Sequence, residues 1–484
     1  MQIRFLERRS LHCADGDVAH SMKTFLFFLL FSASAFAAKP NIIVVFVDNF
    51  GNGDLGCFGS KLHRTPNVDR LAAEGTKFTS FYVASGVCTP SRAALMTGCY
   101  PLRVGMHVSD TGGAVLQPVA RKGLNPAEIT MAEVLKSAGY ATMCIGKWHL
   151  GDQLAFLPTK QGFDDFFGLP YSDDMTKDKK PDVWPELPLM RGEKVIEAPA
   201  DRDHLVKRCT EEAVRFIEKH VTEPFFLYLP HTMPGSTAHP FSSENFRGKS
   251  ANGEYGDSVE ELDWSTGEIM AALQRLKLAD NTLIVWTSDN GAVKRNPTQG
   301  SNAPYRGSGY DTSEGAMRMP CVMRWPGKIA AGAVNDALCS TMDLLPTFAS
   351  LVGAKPPPHK IDGHDITSML FDASKTASPW DDDGFFFYRM DQLQAVRAGD
   401  WKLYLPLTGK FKTLSSRQEP FSLELFDVRH DVSEEREVSA QHPEVVQRLM
   451  RLADKARAEV GDFKREGSGQ REAGMVENAV PLLP

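Results

Sequence analysis

The sequence predicts an α/β fold in which helices flank a mostly parallel β-sheet, followed by a smaller C-terminal α+β domain. Continuous apolar runs rich in Ile and Val, such as 41–47, are typical of strands that are buried on both faces of a parallel sheet. Between these runs lie stretches with apolar residues at helical spacing, such as 205–220, and this alternation favours a parallel sheet. Beyond the proline run 356–358 the pattern changes to short segments typical of antiparallel strands.

The first half of the chain is expected to alternate strands with helices that begin at good capping residues. Thr130 and Glu133 form a capping box, because each side chain can accept from the other residue's backbone N–H. The predicted elements are a strand at 41–47, a helix from Thr65 to Gly75, a strand at 78–83, a helix entered at Cys88 and ending at Gly98, a helix from Thr130 to Gly139 and a strand at 140–145.

The second half begins with 152–203, which is rich in Pro, Asp and Lys and lacks clear periodicity, so we expect long surface loops there that shape a substrate mouth. The elements predicted after it are helices at 205–220, 259–276 and 343–352, strands at 225–229, 282–288 and 321–325, a polar loop at 296–313, short antiparallel strands at 385–388, 393–396, 401–405 and 423–426, and a closing helix around 445–456. The expected organisation is a main domain over 40–355, an α+β domain with a small antiparallel sheet over 380–465, and a loose tail over 466–484.

The charge of the chain excludes some classes of partner. A formal net charge of -7 argues against nucleic acid and against an anionic membrane surface, because both bind clustered cations. An anionic substrate would therefore have to be bound by local cations. The cysteines outside Cys88 have no CxxC spacing, so a zinc cluster is not expected, and the sequence leaves open whether they form disulfides or remain free buried thiols.

The N-terminal region predicts export. Lys23 precedes an apolar run over 25–38 that ends in a small-residue cleavage site and is too short to span a bilayer. We expect 22–38 to be a signal peptide and 1–21 to be a mis-assigned N-terminal extension. The expected location is periplasmic or extracellular, and the absence of an Asn-x-Ser/Thr sequon favours a bacterial source.

Two predicted strands end in similar polar pairs, Asp48-Asn49 and Asp289-Asn290. Ligands bind at the carboxyl ends of the strands in open α/β sheets, so carboxylate and amide oxygens are expected to meet there. Each pair taken alone fits a simple turn at the end of a strand equally well.

Cys88 lies at the predicted entry of a helix, where unpaired backbone N–H groups favour an anion. The segment Cys88-Thr-Pro-Ser-Arg92, followed by Thr97-Gly98, resembles the signature of type I sulfatases. The resemblance covers about 41–462. Further blocks similar to the family, in family order, are 48–59, 146–151, 170–172, 288–291, 325–327 and 344–346.

The resemblance implies an alkaline-phosphatase-like fold, a calcium ion and hydrolysis of a sulfate ester, either of a carbohydrate or of an aryl compound. It also implies a partner during maturation, a formylglycine-generating enzyme that oxidises Cys88 to Cα-formylglycine. An all-oxygen site suits a hard cation such as calcium. By position, the implied calcium ligands are Asp48, Asn49, Asp289, Asn290 and the modified Cys88.

The family mechanism implies a role for each remaining motif residue. The hydrated aldehyde attacks sulfur through one hydroxyl, while Arg92 holds the diol and His149 helps to remove its proton. Lys147 and Ser172 are the implied contacts to the sulfate oxygens.

The chain departs from the family pattern at three positions. Asn49 replaces the usual second Asp, which removes a charge and keeps an oxygen ligand. Gly235 stands where the leaving-group histidine is expected, and His231 or His239 are the candidates to replace it as substrate-binding groups. Gly309 stands where a sulfate-binding lysine is expected, with Lys294 and Arg306 as candidate replacements. The departures keep a second hypothesis open, a sulfatase-fold binding protein with little turnover.

Overall fold

The structure is a computed structural model that describes residues 39–294, 299–407 and 422–483. The predicted extension 1–21 and the predicted signal peptide 22–38 lie outside the described residues. The strands are β1 Asn41–Val47, β2 Thr76–Tyr82, β3 Lys122–Gly123, β4 Ala141–Lys147, β5 Asp165–Leu169, β6 Leu189–Arg191, β7 Lys194–Glu197, β8 Phe225–Leu229, β9 Thr282–Ser288, β10 Arg318–Arg324, β11 Ala333–Asn335, β12 Cys339–Ser340, β13 Phe385–Arg389, β14 Gln392–Ala398, β15 Trp401–Tyr404, β16 Glu424–Asp427, β17 Gly461–Asp462, β18 Arg465–Glu466 and β19 Gly474–Met475. The helices are α1 Pro66–Ala73, α2 Cys88–Thr97, α3 Met131–Ser137, α4 Leu205–Lys219, α5 Gly253–Arg275, α6 Glu314–Met317, α7 Leu344–Val352, α8 Thr367–Phe371, α9 Trp380–Asp383 and α10 Pro443–Glu459.

The main sheet has eleven strands in the order β11-β2-β10-β9-β1-β8-β4-β5-β6-β7, with β12 also paired to β2. The central run β9-β1-β8-β4-β5 is parallel throughout. Antiparallel pairs occur on both sides of this run, where β10 lies between β9 and β2 and where β6 and β7 extend the sheet beyond β5. The predicted mostly parallel sheet with flanking helices is therefore confirmed.

Helices cover both faces of the sheet because its central strands are apolar on both faces. In β1 every residue is buried, and Ile42 and Phe46 belong to one core while Ile43 and Val47 belong to the other. Residues of α2, α3 and α7 complete the first core, and residues of α1, α4 and α5 complete the second. The capping box predicted at Thr130 is present at the start of α3.

The expectation of surface loops over 152–203 holds in part, because most of the segment is loop but three strands interrupt it. The strands β5, β6 and β7 lie in this segment and form one end of the main sheet. Phe166 and Phe167 of β5 are buried on opposite faces, one in each core. A strand this short, containing a glycine, has too little pattern to be recognised without its partner strand.

The C-terminal sheet is antiparallel in the order β13-β14-β15-β16, and α10 packs against it. Phe385 of β13 shares a third core with Tyr82 and Tyr100 of the main domain. The predicted loose tail is wrong for the described residues up to 483. Strand β19 pairs with β3, and Arg471 forms an ion pair with Glu128 at 2.7 Å.

The helices and cysteines of the described residues can be compared with what a membrane span and disulfide bonds would require. The longest helix, α5, has 23 residues and an acidic first turn, and across 39–294, 299–407 and 422–483 no helix combines the length and apolarity that a bilayer span requires. The seven cysteines in the described ranges are all free thiols, so the free-thiol alternative is the one observed.

A buried charge cluster links the two sheets. Glu314 accepts from Lys402 of β15 at 2.9 Å and lies 3.3 Å from Arg318 of β10, and Tyr82 also donates to it. Burial by itself would raise the pKa of Glu314, but Lys402, Arg318 and Arg397 outweigh burial and lower the pKa to about 2. The cluster therefore holds a carboxylate in its charged form inside the protein.

We expect Glu314→Gln to destabilise the protein by about 3–5 kcal/mol at neutral pH, because it removes the carboxylate that pairs with buried Arg318 and Lys402 and leaves Lys402 with only the carboxylate of Glu434, at 3.6 Å. Since folding lowers this pKa, the stabilisation is present above the unfolded-state pKa of about 4.3 and is lost as pH falls toward about 2. Urea unfolding of both proteins between neutral and acid pH measures the difference, which should shrink below about pH 4. The control is Glu435→Gln, at an exposed position nearby, and an equal effect in this control would contradict the assignment.

Candidate active site

Polar residues converge at the carboxyl edge of the five central parallel strands, β9-β1-β8-β4-β5. Val47 pairs with Ser288 in register, so Asp48 and Asp289 emerge side by side. Lys147 is the last residue of β4, two strands away from β1. Adjacent parallel strands that end in polar residues thus bring distant parts of the sequence together.

Cys88 is the first residue of α2 and is only 4 % exposed. Val87, at the N-cap, supplies no side-chain hydrogen bond, so the first backbone N–H groups of the helix face the adjacent space. Cys88, His149 and Ser172 line a cavity of about 310 Å³. The other lining residues are Val87, Ala114, Val115, Asp174, Met175, Ser236, Tyr310 and Arg389.

Two buried cations hold the two strand-end carboxylates. Lys147 Nζ donates to Asp48 Oδ2 at 2.7 Å, and Arg92 donates to Asp289 Oδ2 through Nε at 3.1 Å and Nη2 at 2.7 Å. Arg92 Nη1 also donates to the carbonyl oxygen of Lys147 at 2.7 Å. Burial and repulsion from Asp289 raise the pKa of Asp48 to about 8, although Lys147 and Arg92 oppose the rise. Burial is the larger cause, so the site disfavours a second bare carboxylate although each carboxylate has a cation beside it.

The strand-end oxygens fit a bound cation. Asp48 Oδ1 and Asn290 Oδ1 are buried acceptors without a hydrogen-bond partner, and buried acceptors are normally satisfied. One ligand atom each from Asp48, Cys88 and Asp289 lies within 4.8 Å of the others. Asn49 completes the group, because its Oδ1 accepts from Asn290 Nδ2. Carboxylate and amide oxygens in one small buried volume match the donor set of a hard divalent cation.

His149 presents an unprotonated ring nitrogen to the site. Its Nε2 lies 2.9 Å from the carbonyl oxygen of Leu116, which can only accept, so Nε2 carries the proton. Nδ1 has no partner in the described structure. Burial, assisted by the charge of Lys147, holds the pKa of His149 well below its usual range. The ring is thus a neutral imidazole whose free nitrogen can accept a proton.

Ser172 joins the lysine side of the cavity, because Lys147 Nζ donates to its Oγ at 3.2 Å. The structure thus brings nine of the ten predicted site residues into one contact network: Asp48, Asn49, Cys88, Arg92, Lys147, His149, Ser172, Asp289 and Asn290.

His231 does not join the cavity. It is buried, and its Nε2 lies 3.1 Å from Ser265 Oγ on α5, on the face of the sheet that α1, α4 and α5 cover. The alternative candidate His239 is exposed and pairs with Glu254 at 2.8 Å. Neither histidine lines the cavity, so neither replaces the histidine expected at Gly235 in this structure.

Gly235 and Gly309, which stand where a histidine and a lysine were expected, have little room for a side chain. A Cβ atom built on Gly309 would lie 2.3 Å from the carbonyl oxygen of Gly291. Gly235 has φ +72°, and a Cβ atom there would lie 2.6 Å from the carbonyl oxygen of Thr232. Of the candidate replacements for the lysine, Arg306 is paired with Glu434 at 3.3 Å and Lys294 is exposed, and neither lines the cavity.

Four polar lining residues were missed by sequence reasoning: Asp174, Ser236, Tyr310 and Arg389. Ser236 Oγ accepts from Asn49 Nδ2 at 2.9 Å and lies 2.8 Å from Tyr310 Oη, so it connects the polar residues at the strand ends to Tyr310 in the cavity wall. Asp174 lies two residues after Ser172, so extending the motif 170–172 by two residues would have included it. Arg389 comes from the C-terminal sheet, and no local pattern connects it to the cavity.

We expect Gly309→Lys to destabilise the fold by about 1–3 kcal/mol, because the new side chain overlaps backbone atoms that cannot move aside cheaply. Thermal unfolding monitored by circular dichroism measures the effect. Ser308→Lys, at the neighbouring half-buried position, is the matched control and should unfold close to the wild-type temperature. Wild-type stability of Gly309→Lys would show that the loop accepts a lysine at this position.

Family models match most of the chain. The model described as Sulfatase matches residues 40–354. The model described as N-sulphoglucosamine sulphohydrolase, C-terminal, matches residues 310–459, which include the C-terminal sheet and α10. The two matches overlap and together extend from the first strand to the last long helix.

Curated relatives and solved structures agree with these matches. The chain is 39 % identical to mouse N-acetylgalactosamine-6-sulfatase over 382 residues, which cover 76 % of this chain and 72 % of the relative. It is 36 % identical to human arylsulfatase A over 469 residues, which cover 88 % of this chain and 89 % of the relative. The crystal structure of the PsFucS1 sulfatase from Pseudoalteromonas sp. superimposes with a TM-score of 0.76 at 28 % identity, covering 87 % of this chain and 90 % of that chain.

Proposed function

The chain belongs to the sulfatase family and is a sulfuric ester hydrolase, and from this premise we propose that it hydrolyses a sulfated carbohydrate or aryl sulfate through a Cα-formylglycine made from Cys88, with the help of a calcium ion. The observation that carries the proposal is the position of Cys88 at a helix entry, in the wall of the cavity and beside the buried strand-end oxygens.

The modification supplies a nucleophile that a thiol does not. A formylglycine-generating enzyme oxidises the Cys88 side chain to an aldehyde, which adds water to form a geminal diol. One hydroxyl gives up its proton and attacks sulfur, the bond from sulfur to the leaving oxygen breaks, and that oxygen takes up a proton from water, so the sulfate is transferred to the enzyme and the alcohol leaves. The second hydroxyl then loses its proton, its oxygen re-forms the carbonyl, and inorganic sulfate leaves. The aldehyde is restored for the next cycle.

Neighbouring side chains fit the remaining requirements of this chemistry. His149 Nδ1 is free and unprotonated, so it serves as the acceptor for a diol proton. Lys147 and Ser172 lie 3.2 Å apart and serve as donors to the sulfate oxygens, which gain charge in the transition state. Arg92 holds Asp289 and the end of β4 in place through its three nitrogens.

Asp48, Asn49, Asp289, Asn290 and the modified Cys88 are the residues that would hold calcium. When bound, the ion neutralises negative charge on the sulfate group and withdraws electron density from sulfur. The unpartnered Oδ1 atoms of Asp48 and Asn290 support this assignment.

The size of the cavity supports a small sulfated group as the substrate unit. About 310 Å³ lies at the lower end of the range for small-molecule sites, enough for one sugar ring or an aryl group with its sulfate. The name of the mouse relative, N-acetylgalactosamine-6-sulfatase, supports a sulfated saccharide. A bacterial, periplasmic or extracellular location remains part of the proposal. N-terminal sequencing of the exported protein should begin near Ala38 or Lys39, and a mature chain that retains 1–21 would contradict it.

Coexpression with a formylglycine-generating enzyme tests the proposal. Peptide mass spectrometry measures conversion of Cys88 to the aldehyde, and a generic aryl sulfate with a panel of sulfated sugars measures turnover. Conversion together with calcium-dependent turnover is the expected result. Full conversion without turnover on any of these compounds would instead support a sulfatase-fold binding protein, the function that the missing side chains at Gly235 and Gly309 would favour.

A further inference from the structure

Arg389 reaches the cavity from outside the main domain. It is the last residue of β13 in the C-terminal sheet, it is half-buried, and it lines the same cavity as Cys88 and His149. Its Nε and Nη1 are buried without a hydrogen-bond partner. A guanidinium group has five N–H donors and is rarely left with buried donors unused, so this arrangement calls for an acceptor.

Arg318 and Arg397 of the same region are satisfied by the protein, whereas Arg306 also has two buried nitrogens without a hydrogen-bond partner but does not line the cavity. Arg318 donates to the carbonyl oxygen of Thr79 at 2.6 Å and to Ser80 Oγ at 2.9 Å. Arg397 donates to the carbonyl oxygen of Gly399 at 3.1 Å and to Tyr82. Arg389 differs from Arg318 and Arg397 in its unpartnered nitrogens, and it differs from Arg306 in lining the cavity, so it combines unused donors with access to a ligand.

Apart from Lys147, which the proposed function assigns to the scissile sulfate, Arg389 is the cation in the cavity wall that a ligand can reach. It is the one arginine or lysine among the described lining residues. Lys147 and Arg92 are engaged with Asp48 and Asp289. Two acidic residues lie nearby: Asp174 lines the cavity and pairs with Lys179 at 3.0 Å, and Asp311 Oδ1 accepts from the backbone N–H of Ser313 at 2.8 Å.

We propose that Arg389 binds a second anionic substituent, a carboxylate or a further sulfate, on the sugar unit that carries the scissile sulfate. This inference rests on the proposed function, which places the scissile sulfate beside the deeply buried Cys88 and Lys147. Arg389 is half-buried and comes from a separate sheet, so it faces the part of the substrate that extends beyond that sulfate. The planar fork of a guanidinium matches two oxygens of a carboxylate or sulfate.

The test compares substrates with and without the second anion. The substrates are 4-methylumbelliferyl sulfate, a monosulfated N-acetylgalactosamine, a disulfated N-acetylgalactosamine and a monosulfated hexuronic acid. We expect Arg389→Gln to lower kcat/KM on the last two by about 10- to 100-fold more than on the first two, mainly through KM. Arg389→Lys should recover part of the loss, and the relative loss on the disulfate and on the uronate identifies which anion is bound. The control Arg451→Gln, at an exposed position of α10, should change none of the four.

Equal losses on all four substrates, or no loss on any, would overturn the inference. The first would place Arg389 on the scissile sulfate or in a structural role, and the second would leave it without a ligand. If the wild-type protein turned over none of the substrates, the proposed function would fail first. Calorimetric binding of the disulfate and of the uronate to Cys88→Ala and to Cys88→Ala/Arg389→Gln would still test whether Arg389 binds the second anion. At least about tenfold weaker binding of either by the double variant supports the inference, and equal affinity for both overturns it.

Discussion

Replacing Cys88 with alanine is expected to lower turnover of sulfate esters by at least about 10⁴-fold, even when the protein is coexpressed with a formylglycine-generating enzyme. Alanine has no side-chain group that can be oxidised to an aldehyde, so no diol forms. His149, Lys147 and Ser172 remain in place, but they then face only a methyl group. Initial rates on an aryl sulfate, measured with the same preparation as the wild type, give the size of the loss.

The loss should be specific to chemistry and not to folding. Alanine is the best helix former and Cys88 is the first residue of α2, so the melting temperature should change little. Cys99→Ala is the matched control, because Cys99 is another buried thiol close to the end of the same helix. This control should retain turnover. A Cys88→Ala protein with more than about one hundredth of wild-type turnover would mean that the nucleophile lies elsewhere.

The central strands were predictable because their sequences carry the signal of burial on both faces. The runs predicted at 41–47, 225–229 and 282–288 are the observed β1, β8 and β9. Each is buried throughout and has a continuous apolar centre, and each continues into a polar turn that marks its end. Since the ends of parallel strands share one edge of the sheet, this information also placed Asp48 beside Asp289.

Elements that depend on a distant partner were not predictable in the same way. The strands β5 to β7 are short and pair partly antiparallel at one end of the sheet, so their sequences lack both length and a continuous apolar run. Strand β19 has two residues and is defined by its pairing with β3, more than half the chain away. Such segments acquire their structure from tertiary contacts and not from local propensity.

The candidate site likewise contains residues that local sequence predicts and residues that depend on distant parts of the chain. Cys88, Lys147 and His149 lie in contiguous motifs directly after a strand or at a helix entry, so their convergence followed from the topology. His231 also follows a strand, but its ring points toward Ser265 on α5, because which face a side chain occupies changes from one residue to the next at a strand end. Arg389 reaches the cavity through the docking of a separate sheet, which no local pattern encodes.

Replacing Asp289 with asparagine is expected to remove calcium dependence and to weaken the fold at the same time. Asp289 and Arg92 are both fully buried and lie 2.7 Å apart, so the variant leaves a guanidinium without its carboxylate, at a cost of about 3–5 kcal/mol. It also removes one charge from the strand-end oxygens that would hold the ion. Turnover should fall by at least about 100-fold even at saturating calcium, because the ion no longer neutralises charge on the sulfate group.

Calcium titration of the melting temperature separates the two effects. A ligand at 100 times its Kd stabilises the folded state by about 2.7 kcal/mol, so the wild-type protein should melt higher with calcium than with a chelator. In Asp289→Asn this shift should disappear at the same calcium concentration. The control Asp343→Asn replaces a buried carboxylate that accepts from Trp380, outside the site, and it should lower stability while keeping the full calcium shift. A full calcium shift in Asp289→Asn would remove Asp289 from the ligand set, and the absence of any shift or calcium-dependent turnover in the wild type would overturn the calcium proposal itself.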